Sequence, residues 1–80
     1  MKRVYVNVEC NILNNGQELP SVIFWPDGQH RWNIEKVLHV KKQDKVGQEG
    51  FRYTIVIGSA ENYIYRNNTG WYVIPTELRR

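Results

Sequence analysis

Eighty residues, 41% of them hydrophobic, make one domain near the lower end of the usual size range, with three Trp, five Tyr and two Phe to build its core. The formal charge of +3 permits anionic partners but falls short of the basic footprint of a dedicated nucleic-acid binder, and part of the excess sits at the ends, in Lys2-Arg3 and Arg79-Arg80. One cysteine, Cys10, excludes an intramolecular disulfide framework; no apolar run approaches the ~18 residues of a membrane span, and residues 1–20 lack a signal-peptide core, so the chain reads as cytoplasmic.

Residues 4–12 alternate cleanly, with Val4, Val6, Val8, Cys10 and Ile12 on one face and Tyr5, Asn7, Glu9 and Asn11 on the other. That period of two is the mark of a half-buried strand, and it makes Cys10 a small buried hydrophobe. Asn14-Asn15-Gly16 tolerates positive φ and predicts a turn. A second strand is expected over residues 19–25, with Pro20 near its start, where no ladder donor is needed. Val22 and Phe24 share one face, Ile23 and Trp25 the other.

Asp27-Gly28 is the most specific hairpin signal in the chain. The run that follows, residues 29–42, is too long for one flat strand. Trp32 and Ile34 set a phase that Lys36 interrupts, while Val37 lies in the opposite phase, which predicts a bend or bulge near Glu35-Lys36. A helix over residues 33–40 competes, since Ile34, Val37 and Leu38 are also spaced i, i+3, i+4. The β-branched content and the preceding turn count against it.

Residues 41–50 form a polar loop with two glycines. Further strands are expected over residues 51–58, 62–66 and 71–74, separated by turns at Gly58-Ser59-Ala60-Glu61 and Asn67-Asn68-Thr69-Gly70. Pro75 ends the last strand, and residues 76–80 are expected to be a frayed tail. Six short strands with no second domain predict an all-β fold, an antiparallel meander over residues 1–75 curled into a small barrel. Closure removes exposed edges, a hazard for a chain rich in β-branched and aromatic residues.

Trp25-x-Asp27-Gly28, Trp32-x-Ile34-x-x-Val37-Leu38-x-Val40, Arg52-Tyr53-Thr54-x-x-Ile57-Gly58, Glu61-x-Tyr63-Ile64-Tyr65 and Gly70-Trp71-Tyr72-Val73 together resemble a group of small uncharacterised bacterial proteins of firmicute type. The similarity spans residues 22–74. It implies a compact SH3-like antiparallel barrel of five to six strands, with no established activity and no catalytic residues to carry over. The chain departs from that pattern in the 41–50 loop, which is shorter and lacks a proline.

Few residues offer chemistry. His30 and His39 are separated by about 30 Å along an extended strand, too far to cooperate. No metal-ligand, phosphate-loop or nucleophile motif is present, so neither catalysis nor a cofactor is expected. Two binding readings remain. A nucleic-acid-binding barrel would use Lys41, Lys42 and Lys45 beside the loop, Arg52 on a strand face, and Arg66 next to Tyr65, with aromatic rings as stacking platforms. The bland reading makes the lysines loop solvation and the rings core. The leading reading is a protein-interaction or assembly module, because the last three strands carry bulky residues on both faces. Tyr63 and Tyr65 oppose Ile64, and Trp71 and Val73 oppose Tyr72 and Ile74. Something must cover the outer side: another part of the chain, a partner protein or a second copy.

Overall fold

The computed structural model describes residues 2–79, and its seven strands form one antiparallel sheet. They are β1 (Val4–Ile12), β2 (Glu18–Phe24), β3 (Arg31–Asn33), β4 (Lys36–Gln43), β5 (Gly50–Ile57), β6 (Ala60–Arg66) and β7 (Trp71–Val73). Their spatial order is β3-β2-β1-β7-β6-β5-β4, which curls into a half-barrel. No α-helix forms among the described residues.

The alternation in β1 is realised as far as Cys10, with Val6 buried and Tyr5 facing out, but past a register shift at Glu9-Cys10 the strand leaves Ile12 72% exposed. Val6, Ile23, Tyr53, Ile55, Ile64, Trp71 and Val73 meet on the concave face, and Val4, Val8, Cys10, Trp25 and Trp32 pack against them from its margins. Cys10 is a free, half-buried thiol, and burial is the main reason its pKa lies above the ordinary value. The Asp27-Gly28 turn forms where expected. Gly28 adopts φ 74°, and Asp27 accepts the backbone N–H groups of Gln29 and His30 and contacts the His30 ring, which holds its carboxyl at about 2.

The strand count exceeds six because the long run after this turn is divided. β3 ends at Asn33, residues 34–35 step between strands, and β4 begins at Lys36. The step flips the phase, so that Val37 faces inward opposite Ile55. A bulge between Val37 and His39 then flips it back, so that Val40 also faces inward, opposite Tyr53. Leu38 is the residue left over, and it is 47% exposed. The bend expected near Glu35-Lys36 is therefore two irregularities, and the competing helix over residues 33–40 is absent.

The outer side of the last strands is covered by the chain itself. Tyr65, Tyr72 and Ile74 form a second buried cluster on the convex face. The Arg3 guanidinium lies 4.6 Å from the Tyr72 ring centre, and Tyr65 stacks on Tyr72 at 4.9 Å. Pro75–Glu77 makes a short 3-10 turn there, and Glu77 accepts the Tyr65 hydroxyl at 2.9 Å. Leu78 continues round the barrel end to pack against the concave core. Buried Asn62 accepts the Arg79 N–H at 2.5 Å and donates to the Arg79 carbonyl at 2.9 Å. Where a frayed tail was expected from residue 76, residues 76–79 are thus tied down; residue 80 lies outside the described range.

Candidate functional site: the cleft beside strand β4

The half-barrel is clasped at one point of its seam. Ile34 donates its N–H to the Ser21 carbonyl in β2 at 2.9 Å, and Glu35 donates to the Val56 carbonyl in β5 at 2.7 Å. Beyond this clasp β2 and β4 part. β4 pairs with β5 on one side and is the last strand of the sheet, so its other side carries no strand. A cleft of about 540 Å³ opens beside it, with Val40, Phe51, Tyr53, Glu18, Arg66 and Asn67 among its lining residues.

Local sequence explains this geometry. Gly50 lets β5 begin hard against the end of β6: at φ 130° a Cβ there would fall 2.1 Å from the Arg66 carbonyl oxygen. The cleft floor is tied by the Tyr53 hydroxyl, which donates to the Glu18 carbonyl at 3.0 Å. Burial, reinforced by the charge of Glu18, raises the Tyr53 pKa, so its phenol is a neutral donor at neutral pH. Arg66 donates through Nε to the Glu18 carboxylate at 3.3 Å and through a terminal nitrogen to the Asn67 carbonyl at 2.7 Å, while its guanidinium lies 5.7 Å from the Trp71 ring centre. An aliphatic and aromatic floor with a fixed polar rim suits a side chain entering from an extended segment.

The residues singled out in the sequence divide between two faces. Lys41 pairs with Arg52, Arg52 with Tyr65, Tyr65 with Tyr72, and Tyr72 with Tyr5, a single cross-strand row on the convex face. Arg52 leans over the Tyr63 ring at 4.6 Å. Lys42 pairs with Phe51, Phe51 with Arg66, and Arg66 with Trp71, a second row on the concave side beside the cleft. Lys45 belongs to neither; it is exposed beyond the end of β4. Tyr65 and Trp71 are each 7% exposed and Tyr53 only 3%, so these rings are core.

Lys36, Val40, Phe51 and Tyr53 were not singled out as a site by their sequence. The available signal was the β4 segment itself, KVLHVKKQ, which carries three lysines and no acid. At the opposite end of the barrel a smaller apolar pocket of about 200 Å³ is lined by Trp32, Ile57 and Leu78, and the C-terminal segment forms part of its wall. No three His, Cys, Asp or Glu residues converge in a metal-binding group among the described residues. No described helix is long and apolar enough to cross a membrane.

Fold and cleft together define an all-β half-barrel with a one-sided edge strand. The chain matches no protein-family model, and no curated protein or solved structure is significantly similar to it.

Proposed function

We propose that this half-barrel is an SH3-like, non-catalytic protein-interaction module that takes an extended segment of a partner protein along β4. The observation that carries the reading is the eight-residue strand Lys36–Gln43, paired on one side only and bordered by the Val40–Phe51–Tyr53 cleft. Strand addition supplies main-chain hydrogen bonds, and pockets for alternate side chains supply selectivity. The resemblance of residues 22–74 to small firmicute-type bacterial proteins belongs to the same proposal. So does a cytoplasmic setting, for which the lone free Cys10 speaks.

The nucleic-acid reading has less in its favour. Lys41 and Arg52 do adjoin on the convex face, but Tyr65 and Tyr72 in their row are buried and the half-exposed Tyr63 lies under the Arg52 guanidinium, so little open ring face is left for stacking. The bulky residues on both faces of β6 and β7, which suggested an external cover, are met largely by Arg3 and the Pro75–Glu77 turn. The proposed contact therefore moves to the β4 edge.

The test is selection of peptides from a random displayed library, followed by backbone amide NMR of the protein with a selected peptide. Shifts concentrated at residues 36–43 and at Phe51 and Tyr53 are expected. Selected peptides that perturb only the convex face, or a selection that yields no binder, would count against strand addition.

A further inference from the structure

β4 differs from the other long strands in its charge. Lys36, Lys41 and Lys42 stand on it without a single carboxylate, and Arg52 adjoins Lys41 across the ladder. The nearest acids are mostly engaged elsewhere: Glu35 accepts the Ser59 N–H, Glu49 accepts the Gly47 N–H, and Glu18 is paired with Arg66. Two others remain: Asp44, just past the strand, and Glu61, which stands beyond Val56 in the row of Lys36. The free edge is thus a basic rail.

The faces of that rail are not equivalent. Lys36 pairs with Val56, His39 with Thr54 and Lys41 with Arg52, all on the convex side. Val37, Val40 and Lys42 pair with Ile55, Tyr53 and Phe51 on the concave side, where Val40, Phe51 and Tyr53 line the cleft. An added strand alternates its side chains with the same period of two. A residue beside Val40 would enter the cleft over its Val40, Phe51 and Tyr53 floor, and those beside Lys36, His39 and Lys41 would meet positive charge and water.

Resting on the strand-addition reading, we infer that the segment β4 takes alternates apolar with acidic residues: apolar side chains turn into the Val40–Phe51–Tyr53 cleft, and carboxylates line up against Lys36 and Lys41. A second copy of this chain does not fit, because two β4 edges side by side would bring three lysines from each strand together with no acid in either. Lysines on an open edge are a common means of discouraging such self-pairing. They oppose a like edge and favour an acidic one.

The experiment uses the full chain and three capped eight-residue peptides in which valine alternates with glutamate, serine or lysine. Amide NMR locates the binding, and fluorescence anisotropy measures it at ~50 mM and at several-fold higher salt, where screening shortens the reach of surface charge. The glutamate peptide is expected to shift residues 36–43 and to bind about tenfold more tightly than the serine peptide, as a few opposite-charge cross-strand pairs would produce. The advantage should shrink with salt, and the lysine peptide should bind weakest. Exposed Lys41→Glu should shrink the advantage of the glutamate peptide over the lysine peptide without unfolding the protein, and an unchanged advantage would count against the acidic preference. Equal binding of the glutamate and serine peptides at β4 would overturn the acidic preference and leave strand addition standing. No shift at β4 with any peptide at millimolar concentration would overturn both.

Discussion

The Tyr53 hydroxyl donates to the main-chain carbonyl of Glu18 at 3.0 Å, joining β5 to β2, two strands that are not neighbours in the sheet. Opposite the clasp at residues 34–35, this bond limits how far the half-barrel opens. Tyr53→Phe keeps the ring against Trp71, 5.0 Å away, and removes only the donor. A loss of about 1 kcal/mol is expected, the net worth of one part-buried hydrogen bond. Urea unfolding checks it, and a loss near zero would mean that the bond does not hold the seam.

Gly50 should be among the least replaceable residues on the surface. A Cβ at this position would sit 2.1 Å from the Arg66 main-chain oxygen, which no side-chain rotation relieves. Gly50→Ala is expected to cost roughly 2 kcal/mol or more, through strain and loss of the first β5–β6 pairing. By contrast, Gly16→Ala meets no atom within 4 Å and should cost less, through its positive φ alone. Thermal unfolding of the two variants side by side tests the difference.

Asn62 is 2% exposed and holds both the N–H and the carbonyl of Arg79. Asn62→Ala removes both bonds, with an expected loss of about 1–3 kcal/mol. The local consequence is more specific: Leu78 should leave the pocket it shares with Trp32, and the tail should become open to carboxypeptidase. A tail that stays protected in this variant would show that Leu78 alone docks it.

Stability should fall on the alkaline side. Burial raises the phenol pKa of Tyr53, Tyr65 and Tyr72 above the ordinary value, and at Tyr65 the Glu77 carboxylate adds to the effect. Below pH ~10 these phenols are neutral in both states and their contribution is complete. Above it, the unfolded chain releases protons that the folded chain retains, so folding is progressively disfavoured. Tyr5 has the opposite sign: Asn67 donates to its oxygen at 3.0 Å and lowers its pKa. Tyrosinate absorbance should therefore show Tyr5 ionising early and the buried rings ionising with unfolding. Tyr65→Phe should move the fall in stability to higher pH.

Labelled single-stranded DNA is expected to show no saturable binding at ~50 mM salt, where charge contacts are strongest. Tyr65 and Tyr72, in the row of Lys41 and Arg52, are buried, and the Arg52 guanidinium already lies over the half-exposed Tyr63 ring, which leaves little open aromatic face for stacking. Saturable binding that falls steeply as salt is raised would restore the nucleic-acid reading.

Much of the architecture was legible in local pattern. The first strand has the bounds that the alternation of residues 4–12 predicts, although Ile12, past a register shift at Glu9-Cys10, is exposed, and the turns at Asp27-Gly28 and Asn67-Asn68-Thr69-Gly70 end strands where their chemistry demands. The long third run was legible only as an irregularity. Lys36 out of phase announced a break, but its pairing partners lie in β2 and β5, far away in the sequence. Residue type does not say which face a side chain takes after a bulge. Lys41 and Lys42 consequently fall on opposite sides, and Tyr65 and Trp71 turn out to be core.

What this sequence determined by itself is the class of fold, because period-two alternation and positive-φ turn residues act within a few positions of one another. The charge of β4 is equally plain in KVLHVKKQ. Only the tertiary structure decided that this segment is the last strand of the sheet, and that the aromatic outer face is covered by Arg3 and the Pro75–Glu77 turn. The physical reason is range. The contacts that clasp the seam at Ser21 and Val56, tie Tyr53 to Glu18, and dock residue 79 on Asn62 link segments with no common local pattern. Which edge remains open follows from their sum.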